Sequence, residues 1–292
     1  MKGMAWLPGG TFSMGCDRFY PEESPVRDVS VDGFWIDRHP VTVARFQAFV
    51  EDTGHVTVAE RAPTLEEYPD ADPTLLVPGS LVFTQPSRPV PLDDHRRWWA
   101  YVPGADWRHP EGPASSLSGR GRHPVTHIAH EDALAYAEWA GKALPTEAEW
   151  EFAARGGIQG ALFAWGDDER PGGRLMANHW QGTFPHHNSG ANGYRGTSPV
   201  ASFPPNGYGL YDVTGNVWEW TVDPFEAAPS ASPCCGGPAP RPDEERLVIK
   251  GGSHLCAPNY CLRYRPAARQ GETVDTSTSH IGFRCVARAP GP

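Results

Sequence analysis

The 292-residue chain carries a formal charge of −10 and a pI near 5.6, with no block of basic residues, which argues against nucleic acid as a partner. It has no apolar run long enough to span a bilayer, and its length suffices to bury a large core in one domain or two. Thirty-one prolines, thirty-two glycines and eleven tryptophans speak against a helical bundle and for a loop-rich fold packed through aromatic rings.

The opening MKGMAWLPGGTFSMG lacks the charged-then-apolar pattern of a signal peptide, so the six cysteines point to a reducing cytoplasm and thiols rather than a disulfide framework. Residues 9–15 (GGTFSMG) predict a strand entered from a tight turn. Residues 29–36 (VSVDGFWI) predict a partner strand interrupted by a turn at Asp32-Gly33. Thr42 then caps a helix with Phe46, Phe49 and Val50 as its apolar face, ending before Gly54. Over residues 60–122 the periodicity fades, as in a disordered insertion or a functional surface loop. Trp98, Trp99, Tyr101 and Trp107 argue for order there. Each reads as filler of a loop core, and His109 beside them reads as a hydrogen-bonded histidine rather than a ligand.

Residues 123–157 are the clearest helical stretch. A first helix runs from about residue 131 to 139, with Ala133, Leu134, Tyr136 and Ala137 on its apolar face and Gly141 as its stop. A second is opened by a Thr146/Glu149 capping box, continues through Trp150, Phe152 and Ala153, and ends at Gly156-Gly157. Glu147, Glu149 and Glu151 are expected as a solvated, dipole-favoured helix start without catalytic work. Oxygen-rich loops follow, with Asn178 in ANHWQGTFP, Asn192 in ANGYRG, and Asp212, Asn216 and Glu219 in YGLYDVTGNVWEW. Such a mixture can wrap a hard cation, although it matches no EF-hand and ordinary turns account for it equally well. Residues 224–246 read as a mobile Pro/Ala/Ser-rich surface loop in which the adjacent Cys234 and Cys235 are incidental thiols, since vicinal cysteines bridge only with strain.

The organising stretch is residues 250–285, KGGSHLCAPNYCLRYRPAARQGETVDTSTSHIGFRC, which places Cys256 and Cys261 with four residues between them. Thiols at this spacing can form a disulfide, hold a soft metal, act as a redox pair, or simply pack. The spacing is not that of a zinc knuckle, and the absence of a second such pair or of HExxH argues against a closed zinc site. Two thiolates alone suit linear Cu(I).

The segment resembles the C-terminal active-site region of formylglycine-generating enzymes, copper-dependent oxidases that activate sulfatases, in its G-G-S-x-x-C-x-x-x-x-C-x-R-Y-R motif. The likeness runs along nearly the whole chain, through the G-x-F-x-M-G opening, the P-V-T-x-x-x-F helix and L-P-T-E-A-E-W-E. It implies one α+β domain over residues 1–292 with little regular secondary structure, related to the C-type lectin fold. It further implies a cytoplasmic, monomeric enzyme that uses O2 to convert the cysteine of a Cys-x-Pro-x-Arg motif, in an unfolded sulfatase polypeptide, to Cα-formylglycine. By the same resemblance Cys256 and Cys261 hold Cu(I), and Ser253, Trp218, Tyr260 and Arg263 match catalytic positions, Arg263 orienting substrate or loop. YVPGADWRHPEG (residues 101–112) resembles the segment that helps shape the substrate groove.

Two structural Ca2+ sites are implied as well. One uses the side chains of Asp212 and Glu219 with the carbonyls of Gly215 and Val217. The other uses Asn178 and Asn192 with the carbonyls of His179 and Tyr194, and there Asn192 stands where the family usually has aspartate. Disulfides of secreted members have no counterpart, because Cys285 faces Ala137 in place of cysteine and a second pair reads Pro266 and alanine. His280 stands where members often carry asparagine. Three alternatives remain. Iron-dependent sulfoxide synthases need a three-histidine helical domain for which there is no room. A non-catalytic binding module of the superfamily lacks the cysteine pair. A metal-free dithiol oxidase would use a Cys256–Cys261 disulfide.

Overall fold

A computed structural model describes residues 1–226 and 245–288, so Cys234, Cys235 and most of the Pro/Ala/Ser-rich stretch lie outside the described residues. In chain order come β1 (Met4–Leu7), β2 (Gly10–Met14), β3 (Arg27–Val31), β4 (Phe34–Asp37), α1 (Val43–Thr53), β5 (Gly79–Phe83) and β6 (Trp99–Pro103). Then follow α2 (His130–Trp139), α3 (Glu147–Arg155), β7 (Trp218–Pro224), β8 (Arg246–Lys250), β9 (Arg269–Thr273), β10 (Ile281–Gly282) and β11 (Val286–Ala287). The expected α+β architecture with little regular structure is what forms. None of the described helices is long and apolar enough to cross a membrane.

The strands build small sheets ordered β1-β4-β11, β10-β7-β8-β9, β2-β3 and β5-β6. Residues 29–36, expected as one interrupted partner strand, in fact serve two sheets: β3 pairs with β2, whereas β4 pairs with β1 and β11. The Asp32-Gly33 turn makes the crossing possible, because any side chain at Gly33 would meet the Trp6 ring at 2.6 Å. The helices follow their end signals. The Thr42 hydroxyl accepts the Arg45 N–H and Gly54 closes α1 in the left-handed region; Thr146 and Glu149 form the capping box of α3, and Gly156 closes it.

Two apolar clusters flank the main sheet. One joins Phe46, Phe49 and Tyr136 of α1 and α2 to Trp220, Ile249 and Phe283; the other joins Phe34 and Ile36 to Trp150, Phe152 and Val286. Each buried ring or branched side chain contributes about 1.5–3 kcal/mol of hydrophobic stabilisation. The expected order in residues 60–122 is present as the β5–β6 hairpin, with Trp98, Trp99 and Trp107 buried. Trp98 and Trp99 form a third cluster with Trp180, Phe184, Leu255 and Ala257, on the side of the molecule that carries Cys256. His109 is hydrogen-bonded, its Nδ1 to the Ser115 carbonyl.

His127 locks the hairpin to the body. Its Nε2–H donates to the Pro110 carbonyl (2.9 Å) and its Nδ1 lies 2.8 Å from the Ser80 hydroxyl of β5. Burial lowers its pKa to about 4. The unfolded chain therefore binds a proton that the fold refuses. The stability this histidine contributes is complete above its unfolded pKa of about 6.5 and is lost as pH falls from there towards 4, by about 3 kcal/mol in all. His127→Asn, which keeps a side chain tolerant of the left-handed backbone found here (φ 61°), is expected to flatten that acid limb by about one proton in urea titrations between pH 7 and 4. An unchanged slope would refute the assignment.

Candidate active site

The cysteine loop is built by turns rather than by a regular element. Gly251 and Gly252 leave β8 with φ of 89° and 71°, and a side chain at Gly252 would meet the Arg263 carbonyl at 2.4 Å. Only glycine lets the outgoing and returning arms of the loop lie this close. The Cys256 N–H donates to the Ser253 carbonyl (3.0 Å), and the Cys261 N–H donates to the Ala257 carbonyl (2.8 Å). The second bond closes a helical turn that brings Cys261 back beside Cys256. Both are buried thiols, not disulfides, and both line one cleft of about 230 Å³. The Ser253 N–H points at the Cys256 sulfur (3.4 Å).

Of the residues expected at the site, Ser253, Trp218 and Tyr260 also line this cleft. Tyr260 stacks on Phe184 (centroids 4.6 Å apart, 8° between planes), and Asn259 holds Phe184 there by exchanging two hydrogen bonds with its backbone. Trp99 closes another side, edge-on to His280 at 4.8 Å. The His280 Nδ1 lies 3.0 Å from the Ser253 hydroxyl, while burial and the nearby rings of His254 and His127 hold its pKa well below the usual value. It is a neutral imidazole. His280 Nε2 and Trp218 Nε1 are buried without a protein partner in this otherwise aromatic cleft. β7 and β10 set their spacing, since the Trp218 N–H donates to the His280 carbonyl at the point where the two strands begin to pair.

Arg263 is placed apart from the cleft lining. Its guanidinium pairs with Glu22 (2.6 Å), lies over Tyr20 (3.9 Å) and donates to the Arg269 carbonyl. Arg265 forms a two-pronged pair with Glu23, and Arg269 forms one with Glu147. Lys250 reaches Glu147 and Glu151, and Arg155 also binds Glu151. Glu147, Glu149 and Glu151, expected as a solvated helix start, are 5%, 9% and 1% exposed. Glu147 and Glu151 are buried because Lys250 and Arg269 of the cysteine segment dock on that face of α3, whereas Glu149 is covered by Arg288 and its own capping box with Thr146. Glu22 and Glu23 were missed in the sequence, where PEES looks like any polar turn. The available signal was three arginines in an apolar segment, which demand buried acidic partners.

The oxygen-rich loops sit behind the cysteine loop. The Asn216 carbonyl accepts both the His254 backbone N–H and its ring Nδ1–H. Asp212 accepts N–H groups from Ala201 and Asn216, and burial pushes its carboxyl up to about 6. Glu219 accepts from Trp150 and twice from Arg284. Asn192 donates its amide to Asn178 Oδ1 and to the His179 carbonyl, and its own Oδ1 accepts the Tyr194 N–H. Cys285 is a buried thiol in the same apolar cluster as Ala137, its pKa driven up by burial and Asp37 and its reactivity thereby suppressed.

The sulfatase-modifying factor enzyme 1-like domain matches residues 1–289. A formylglycine-generating enzyme of Mycobacterium tuberculosis is 55% identical over 96% of this chain and 96% of its own length. One from Thermomonospora curvata is 49% identical over 98% and 93%. A Bos taurus relative named inactive Cα-formylglycine-generating enzyme 2 is 39% identical over 99% and 89%. Among solved structures, PvdO from Pseudomonas aeruginosa superposes with a TM-score of 0.64 at 27% identity, covering 97% of this chain and 93% of that one.

The buried pairs make a direct prediction. Glu23→Gln leaves Arg265, fully buried, without its counter-charge, and should cost about 3–5 kcal/mol. Glu23→Gln combined with Arg265→Leu should recover much of that loss. Chemical denaturation of the single and double variants measures both, and additive losses would show that the pair is not coupled.

Proposed function

The chain belongs to the sulfatase-modifying factor enzyme 1-like family, and on that premise we propose that it is an oxidase that converts a cysteine of a sulfatase polypeptide to Cα-formylglycine, so activating the sulfatase. One relative is named formylglycine-generating enzyme and another is named inactive, so the reading is carried by the site: two buried thiols, Cys256 and Cys261, facing one small aromatic cleft. The substrate is a polypeptide segment bearing Cys-x-Pro-x-Arg, unfolded so that its cysteine side chain can enter the cleft. The substrate carbon yields two electrons as its thiol-bearing methylene becomes an aldehyde, sulfur leaves as hydrogen sulfide, and O2 supplies the aldehyde oxygen and one water. Balance then requires two further electrons and two protons from an external thiol reductant.

Cys256 and Cys261 are the residues to hold Cu(I). Soft sulfur donors, burial and the scarcity of hard oxygen ligands in the cleft suit that ion, and two thiolates satisfy it. Bound there, it supplies a soft seat for the substrate thiolate and activation of O2. The Ser253 N–H fixes the position of the Cys256 sulfur. Trp218, Tyr260, Trp99 and Phe184 exclude water. The unpartnered Trp218 Nε1 and His280 Nε2 supply the polar contacts for what enters. Arg263 acts at a distance, by orienting the loop through Glu22.

A structural Ca2+ at Asp212 and Glu219, with the carbonyls of Gly215 and Val217, belongs to the same reading. Among the described residues two buried carboxylates stand there against the guanidinium of Arg284, which pairs with Glu219 and acts on Asp212 at a distance, and a hard cation balances the surplus charge. A reducing, cytoplasmic setting suits Cys285, whose core neighbour is Ala137 rather than a cysteine.

The test is mass spectrometry of a short Cys-x-Pro-x-Arg peptide in air with a thiol reductant, with and without copper. Conversion to the aldehyde should require copper. Cys256→Ala or Cys261→Ala should each reduce it by roughly 100-fold or more, equivalent to about 2.7 kcal/mol of barrier, whereas Cys234→Ala with Cys235→Ala should leave it unchanged. Full activity in Cys261→Ala would sink the reading. Conversion that survives a strong Cu(I) chelator would favour a metal-free dithiol oxidase, and none from folded, copper-loaded protein would favour a non-catalytic binding module.

A further inference from the structure

The two loops that the family resemblance assigns to cations differ in what fills them. At Asp212 and Glu219 negative charge is in excess. At Asn178 and Asn192 the oxygens converge on an amide. Asn192 Nδ2 spends one proton on Asn178 Oδ1 (2.9 Å) and the other on the His179 carbonyl (3.1 Å). A calcium ion bound to those two oxygens at about 2.3–2.6 Å would have to compete with this amide, which already donates a hydrogen bond to each. The amide cannot be turned round, because its Oδ1 accepts the Tyr194 N–H (3.0 Å), and reversal would set one N–H donor against another.

The bonds continue inward in one direction. Asn178 Nδ2 donates to Asn216 Oδ1 (3.4 Å) and to the Gly196 carbonyl (3.0 Å). Asn216 Nδ2 donates to Asp212 Oδ1 (3.3 Å) and to the Ser198 carbonyl (3.2 Å). The far end is a carboxylate, which only accepts. Both ends thus fix the polarity of Asn192, Asn178 and Asn216. We propose that this relay is metal-free: the Asn192 amide takes the place of a cation and staples residues 178–196 to the loop ahead of β7. The proposal rests on the reading above only in taking Asp212 and Glu219 as the separate cation site. An aspartate at 192 would instead turn two acceptors towards Asn178 Oδ1 and the His179 carbonyl, a cage of oxygens that only a cation relieves.

The test is calcium stoichiometry, by calorimetry and metal analysis of full-length protein stripped with EGTA and titrated with calcium chloride. Wild type should take up one equivalent, lost in Asp212→Asn and kept in Asn192→Ala. Asn192→Asp should bind one equivalent more than wild type; its Tm should fall below wild type in EGTA and rise by roughly 5 °C on adding calcium. Zero equivalents in wild type would remove the Asp212/Glu219 cation yet leave the relay standing, provided Asn192→Asp still gains one. The relay is overturned if wild type holds an equivalent that Asn192→Ala removes and Asp212→Asn spares, or if folded Asn192→Asp gains none. Should Asn192→Asp fail to fold, the comparison of wild type, Asn192→Ala and Asp212→Asn decides by the same criterion.

Discussion

Arg265 and Glu23, both withdrawn from solvent and joined by two parallel hydrogen bonds, fix where the cysteine loop can lie. Around them Lys250, Arg155, Arg263 and Arg269 meet Glu22, Glu147 and Glu151. Such pairs add little net stability over apolar packing of the same volume, but mispairing them is expensive. They therefore select one arrangement. The segment between β8 and β9 has no ladder to hold it, and charge pairing does the work that strand hydrogen bonds do elsewhere. Arg269 illustrates the coupling, because one guanidinium reaches Glu147 at the start of α3 and the Glu22 carbonyl in the N-terminal turn. Packing, helix docking and the position of two thiols become a single constraint.

The cleft inside that constraint is unusual for a protein so polar at its surface. Its walls are rings, its polar atoms are few, and two of them lack partners. An unpartnered buried polar nitrogen costs about 1–3 kcal/mol, so Trp218 Nε1 and His280 Nε2 hold free energy that a bound ligand recovers. The neutral state of His280 matters here. A charged imidazole beside sulfur would bind anions indiscriminately, whereas a neutral ring recognises a hydrogen-bonding group by direction alone.

The sequence was most legible where the signal is local. Thr42, Thr146, Glu149, Gly54 and Gly156 mark helix ends because capping is decided within one turn. The spacing of Cys256 and Cys261 left a disulfide or plain packing as open as a metal site, and it was the family motif that singled out these cysteines with Ser253, Trp218 and Tyr260, residues that line one cleft. Non-local pairing was hidden. Residues 29–36 alternate like one strand, and nothing in their pattern says that β4 would leave β2 for β1 and β11. Strand β1 itself is four residues long, too short to carry a period. The burial of Glu147 and Glu151 depends on cations about 100 residues away, and no helix-dipole argument reaches that far.

The loops before β7 carry the same logic into the site. Backbone groups without secondary structure must still find partners, and here side-chain amides supply them. Asn216 joins the two systems. Its side chain is the third amide of the Asn192 relay, and its carbonyl accepts both N–H groups of His254. His254 follows Ser253, whose own N–H faces the Cys256 sulfur. Asn216 also holds a left-handed backbone (φ 60°), tolerable for asparagine, which turns side chain and carbonyl towards opposite loops. The residue is thus placed to pass any slackness in the relay on to the thiols, because the bonds that orient its amide and those that orient its carbonyl share one peptide frame.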